Sequence, residues 1–216
     1  MLEDIPHTHE GPDPHAPLPD HDDSLTHHKM LEIALRELLI AKGILTPDEI
    51  RTAIERMDLR GPQLGARVVV QAWQDGAFRE RLLADGTAAC EELGIRMDQA
   101  TRLIVVANTP EVHNLVVCTL CSCYPRMVLG LPPDWYKSRE YRSRAVREPR
   151  AVLKEFGTEL PETVSVRVHD STADMRYLVL PMRPGGTEGW SAEALQEIVT
   201  RDTMIGVAVP SAGMAG

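Results

Sequence analysis

Gly94 divides this chain into two textures, and that break limits the fold more than any other feature. Before it, apolar residues recur with helical spacing: Leu31, Leu35, Leu38 and Leu39 share one face, and "KG" closes the segment at Gly43. "TPDE" then opens a second helix, with Thr46 as N-cap, Pro47 in the first turn and Glu49 completing a capping box. "GPQLGARVVVQAWQD" reads as a third helix, and "DGAFRERLLADGTAACEELGI" as a fourth and fifth. After Gly94 come short β-branched runs bounded by turn residues: "RLIVVANT", "NLVVCTL", "VSVRVHD" and "RYLVLPM". One helix is predicted around "SREYRSRAVREPRAVLKEFG", another over "SAEALQEIVTRD", and a last strand at "MIGVAV". The expected class is α+β, with a helical N-terminal part at 26–94, an α+β domain at 95–210 and a flexible end at 211–216.

Residues 1–25 mix His, Asp and Pro with almost nothing apolar, and such a segment buries too little surface to offset its ordering entropy. Disorder is expected there. Six of the eight histidines lie between His7 and His28 in irregular spacing, which fits a solubilising tail or a loose metal-holding one. The chain shows no apolar run long enough for a membrane span and no export-signal pattern, so a cytoplasmic protein is expected. A net charge of −9 argues against a general nucleic-acid or anionic-membrane binder. "YKSREYRSRAVREPR" does hold six basic residues between Lys137 and Arg150. With Trp135, Tyr136, Tyr141, Arg142 and Arg144 in the same stretch, it reads as a surface for a partner chain.

"VCTLCSCYPR", Val117 to Arg126, places Cys118, Cys121 and Cys123 within six residues; the remaining cysteine, Cys90, sits among alanines as a small buried hydrophobe. Three thiols are too many for one disulfide and one short of a four-ligand zinc site. Three readings follow from spacing. One is a zinc or iron-sulfur site with a fourth ligand elsewhere, such as a zinc-binding adaptor completed by His113 or His169. Another is a redox thiol cluster.

The third is a claw, in which both sulfurs of Cys121 and Cys123 and the deprotonated amide nitrogens of Ser122 and Cys123 close unstrained chelate rings around one ion. Cys118 would cap that plane and leave one octahedral position open. Ionised amides suit low-spin trivalent cobalt or iron better than zinc, and an open position on such an ion is a Lewis-acid site. Thiolates beside it are candidates for oxidation to sulfenic or sulfinic acid.

At these residues the chain resembles the α subunit of cobalt-type nitrile hydratases, from about Leu31 to Pro210. "VCTLCSCYP" is similar to the family's metal motif, with Thr119 where cobalt forms carry Thr. "GPQLGARVVVQAW", "LLADGTAAC", "VLGLPPDWYKSREYRSRAVREPRAVLKEFG", "RPGGTEGW" and "VTRDTMIGV" resemble the family in the expected order. The resemblance implies a layered α/β/β/α domain and a non-corrin cobalt(III) centre, in preference to iron, held by Cys118, Cys121, Ser122 and Cys123. It implies sulfinic acid at Cys121, sulfenic acid at Cys123, and hydration of a nitrile to an amide. Either the Cys123 sulfenate or a water would be the nucleophile.

It further implies a β subunit, or two smaller equivalents, in a heterodimer or heterotetramer, with arginines of that partner on the oxidised sulfurs. A metallochaperone or activator would deliver cobalt. Gln99 falls where the family carries a supporting glutamine, in "QAT" rather than the usual "QGE". Arg126 departs from the family's usual Trp and is similar instead to the catalytic γ subunit of thiocyanate hydrolase. An arginine there favours a polar or anionic substrate. Within "HDSTADMRY", His169 and Asp174 replace the usual Trp and Glu, and Asp170, Asp174 and Arg176 are expected to form an ion-pair network or an ordinary salt-bridged strand end.

Overall fold

The structure, a computed structural model, describes residues 26–97, 100–121 and 123–214. The His-rich segment 1–25, Gln99 and Ser122 lie outside the described residues. Five helices come first: α1 (His27–Ala41), α2 (Pro47–Asp58), α3 (Pro62–Gln74), α4 (Gly76–Ala84) and α5 (Gly86–Glu92). Local chemistry sets their ends. Thr46 and Glu49 form the expected capping box on α2, and the carboxylates of Asp75 and Asp85 accept the Phe78 and Ala88 amides to start α4 and α5. Strand β1 (Arg102–Ala107) follows, then β2 (Val112–Val117). Next are α6 (Arg126–Leu129), α7 (Asp134–Lys137), α8 (Arg139–Arg147) and α9 (Pro149–Glu155), then β3 (Ser165–Asp170), β4 (Met175–Leu180), α10 (Ala192–Glu197) and α11 (Arg201–Ile205).

β1 pairs with β4 and β2 with β3, both in parallel. α4 and α5 pack on β1, β4 adjoins β2, α8 packs on β2 and α9 on β3. The result is the expected α+β class in α/β/β/α layers. α3 runs across the body against α6, α10 and α11, and its Val68, Val69 and Val70 are buried in spite of their preference for strands. Tertiary burial overrides that preference. α1 is different, for none of its residues is buried, and Leu31, Leu35 and Leu38 each stay more than half exposed.

Two late expectations need correction. The long helix over "SREYRSRAVREPRAVLKEFG" is two helices, because Glu148 leaves helical geometry (ψ 56°) ahead of Pro149, which begins α9. "MIGVAV" is not a strand: Met204 and Ile205 end α11, whose start is capped by Thr200. Gly206 then turns the chain at φ 90°, and the Val207 amide returns to the Asp202 carbonyl. Strand spacing was mimicked by a buried helix end followed by a left-handed cap.

A polar chain threads this body. His169 Nε2–H donates to Asn114 Oδ1 at 2.8 Å, Asn114 Nδ2–H to Asn108 Oδ1 at 3.0 Å, Asn108 Nδ2–H to His113 Nδ1 at 3.3 Å, and His113 Nε2–H to the Gly206 carbonyl at 2.7 Å. The donor and acceptor inventory of the two amides fixes these directions, since each Oδ1 also accepts and each Nδ2 also donates. Burial, opposed in His113 by the bond to Gly206 and aided in His169 by Arg167, holds both imidazoles below their ordinary value. They are neutral links between β1, β2, β3 and the turn after α11.

Candidate metal centre

β2 is buried from His113 through Val117 and delivers Cys118 to the end of the β2–β3 pair. The chain then turns sharply, with the Cys121 amide donating to Cys118 Sγ at 3.3 Å. Cys118 and Cys123 are buried and Cys121 is exposed. Their sulfurs lie 3.5 Å apart (Cys118 to Cys121) and 3.1 Å apart (Cys121 to Cys123), and all three fall within 4.8 Å of one another. Those separations exceed the roughly 2.05 Å of a disulfide. Three soft donors converge on one point, one of them reachable from solvent, which is a donor set for a thiolate-bound ion. Desolvation, followed by the hydrogen bond with Cys121, pushes the Cys123 thiol up to about 12, with Arg176 pulling the other way.

The loop is held from outside by four side chains. In-register pairing sets Asp170 opposite Val117, so its carboxylate reaches past the strand end. Asp170 accepts the Thr119 amide at 2.9 Å and the Thr119 hydroxyl at 2.5 Å. Arg142 grips the other side of the same peptides, donating from Nε to the Cys118 carbonyl at 2.9 Å and from Nη2 to the Thr119 carbonyl at 2.7 Å. Tyr141 donates to the Val116 carbonyl at 2.6 Å, and Tyr136 to the Cys123 carbonyl at 2.8 Å. Trp135 packs edge-on against Tyr136, Tyr141 and Phe156, Tyr136 edge-on against Tyr124, and Tyr141 edge-on against Phe156, while Tyr136 and Tyr141 meet tilted.

These contacts revise several expectations. Tyr136 and Tyr141 are core residues of this chain, 0% and 5% exposed, and not the centre of a partner surface. Arg144 is committed to Glu140, Glu148 and Glu155, and Arg142 to the cysteine loop. Sequence reasoning missed this role, although carbonyls that leave strand pairing need other donors, and Tyr and Arg are side chains long enough to supply them. Asp170, Asp174 and Arg176 form no ion-pair network among the described residues: Asp170 serves Thr119, and Arg176 donates to the Thr172 and Met175 carbonyls. Neither His113 nor His169 joins the sulfur cluster: both nitrogens of His113 and Nε2 of His169 are engaged in the internal polar chain. The zinc adaptor therefore lacks both of its expected fourth ligands. Arg126 is exposed at the start of α6, three residues beyond Cys123, and Cys90 is fully buried with its thiol raised to about 12 by desolvation and then Glu91.

The profile of the nitrile hydratase α chain matches residues 26–208. The cobalt-containing nitrile hydratase α subunit of Pseudonocardia thermophila is 57% identical over 176 residues, covering 81% of this chain and 86% of that protein. The thiocyanate hydrolase γ subunit of Thiobacillus thioparus is 44% identical over 197 residues, covering 86% and 81%. Among solved structures, a recombinant thiocyanate hydrolase with partially modified cobalt centres matches with a TM-score of 0.82 at 42% identity, over 89% of this chain and 94% of that one. A doubly substituted iron-type nitrile hydratase from Comamonas testosteroni Ni1 matches with a TM-score of 0.79 at 43% identity, over 88% and 93%.

Proposed function

The chain belongs to the nitrile hydratase α-chain family, and on that premise we propose that it is the metal-carrying subunit of a cobalt nitrile hydratase. The observation that carries the reading is the convergence of Cys118, Cys121 and Cys123 on a loop braced by Arg142, Asp170 and Tyr136. The sulfurs of these cysteines, with the amide nitrogens of Ser122 and Cys123, would hold cobalt(III). Cobalt is favoured over iron by Thr119 and by the cobalt-containing relatives. When bound, the ion supplies Lewis acidity that makes a nitrile carbon electrophilic. In the mature centre Cys121, the exposed thiol, would carry the sulfinic oxygens and Cys123 the sulfenic oxygen, both added by an external oxidant such as dioxygen. The Cys123 oxygen would either take a proton from a water that adds to the nitrile carbon, or add to that carbon itself, the C≡N π electrons passing to nitrogen and a water later releasing the amide. Arg126 and, by its place in the sequence alone, Gln99 are the residues assigned to the substrate in this proposal.

The other half of the enzyme is a β subunit or two smaller chains, in a heterodimer or heterotetramer, and an activator protein inserts the cobalt. The exposed apolar stripe of α1 supports such a partner. Clustered thiols and the absence, among the described residues, of a helix long and apolar enough to cross a membrane fit assembly in the cytoplasm.

A second reading has its own support. The exposed Arg126 in "YPR", together with the thiocyanate hydrolase relatives, favours a small anion such as thiocyanate as substrate. Co-expression with neighbouring genes in cobalt medium tests both readings. Trivalent cobalt, three added oxygens on the Cys118–Arg126 peptide and turnover of nitriles are expected; stoichiometric zinc on unoxidised thiols would remove the proposal, and turnover of thiocyanate alone would select the second reading. Replacing Arg126 by Trp should move preference toward apolar nitriles, and an unchanged substrate ranking would deny Arg126 that role.

A further inference from the structure

We propose that Arg142 is a positioning residue for the metal centre, fixing through two backbone carbonyls where the Cys118 sulfur stands; the inference rests on the cobalt reading above. Cys118 differs from the other two cysteines. Cys121 and Cys123 are separated by one residue, so their mutual placement is largely local, whereas Cys118 reaches the cluster only if the peptides between Cys118 and Cys121 hold one conformation. Backbone bonds do little to fix it, since the loop follows the end of β2 and leaves strand pairing behind.

Arg142 supplies the missing constraint. Its Nε and Nη2 bond the carbonyls of two successive residues, Cys118 and Thr119, at 2.9 and 2.7 Å. The planar fork ties the two carbonyl oxygens to one rigid group and so fixes the intervening ψ and φ angles. Tyr141, its neighbour on α8, bonds the Val116 carbonyl, so the helix is pinned to β2 just before the loop begins. On the opposite side Asp170 takes the amide and hydroxyl of Thr119, leaving that residue's three polar groups all engaged. A lysine at position 142 keeps the charge but offers a single nitrogen, which cannot span both carbonyls with the same geometry.

The experiment uses the full cobalt-loaded complex carrying Arg142→Lys, with Arg150→Lys as a comparison. Arg150 also donates to backbone carbonyls, those of Leu160, Pro161 and Val164, but in the loop before β3. Its loss reports the cost of releasing backbone carbonyls as such. Cobalt retention against a chelator and the sulfur-to-cobalt charge-transfer band are read alongside thermal unfolding of each variant. R142K should lose cobalt affinity by about 10- to 100-fold and shift the band, while R150K leaves both unchanged. Wild-type retention and spectrum in R142K, or equal losses in the two variants, would overturn the role of Arg142 alone. A wild-type complex that takes up no cobalt brings down the hydratase reading together with this inference. Should R142K fail to assemble, Asp170→Asn supplies the second probe. Removing that carboxylate weakens the opposite grip on Thr119, so a shifted band supports the clamp and an unshifted one refutes it.

Discussion

Tyr136 shows how single side chains decide the geometry of the cysteine loop. It is fully buried, and its hydroxyl donates to the Cys123 carbonyl at 2.8 Å. Tyr136→Phe keeps the ring in its aromatic cluster and strands that carbonyl, so unfolding in urea should show a loss of about 1–2 kcal/mol. A variant as stable as the wild type would mean that another donor reaches the carbonyl. The spacing of Cys118, Cys121 and Cys123 was legible in the sequence because chelation within so few residues is a matter of covalent geometry. Arg142 was not legible in the same way. Its partners lie 24 and 23 residues away, and a basic stretch looks alike whether its arginines face a partner chain, an acidic neighbour or backbone carbonyls.

At the scale of elements, local signals succeeded where caps carry them and failed where burial does. Thr46 and Glu49 announce α2, whereas the run "MIGVAV" has the composition of a strand and folds as a helix end and turn. Gly206 marks the difference. A Cβ there would lie 2.0 Å from the Asn114 carbonyl oxygen, and its φ of 90° is strained for any other residue. Gly206→Ala should therefore destabilise the chain by about 3 kcal/mol or more, read as a lowered Tm, since both the backbone angle and the contact oppose the added methyl. An unchanged Tm would show that α11 can move away from β2.

The whole molecule carries two further expectations. Because burial depresses the imidazoles of His113 and His169, the folded chain binds fewer protons than the unfolded chain once the pH falls toward 6.5, their ordinary value. Stability is thus complete above that value and is lost as the pH drops toward the folded values, by at most about 1.4 kcal/mol per pH unit for each histidine. The Tm of cobalt-free protein should fall between about pH 7.5 and about pH 5.5, and His113→Gln should flatten that slope. A slope unaltered by H113Q would assign the acid sensitivity elsewhere. The second expectation concerns α1, whose apolar stripe contacts no core of its own chain. Serines at Leu31, Leu35 and Leu38 should leave the Tm of the isolated chain in place and weaken co-purification of the partner subunit about tenfold or more. Undiminished association would locate the interface on another face.

By itself the sequence determined the class of the fold, the loop that gathers the sulfurs and the family, since each is written in short-range periodicity or in contiguous motifs. Only the tertiary structure decided that Tyr136, Tyr141 and Arg142 brace that loop, that His113 and His169 link strands instead of binding an ion, and that α1 is left uncovered. Those assignments depend on which distant segments pack together. A side chain's role is set by the donor or acceptor that folding brings to it, and residue type alone does not name that partner.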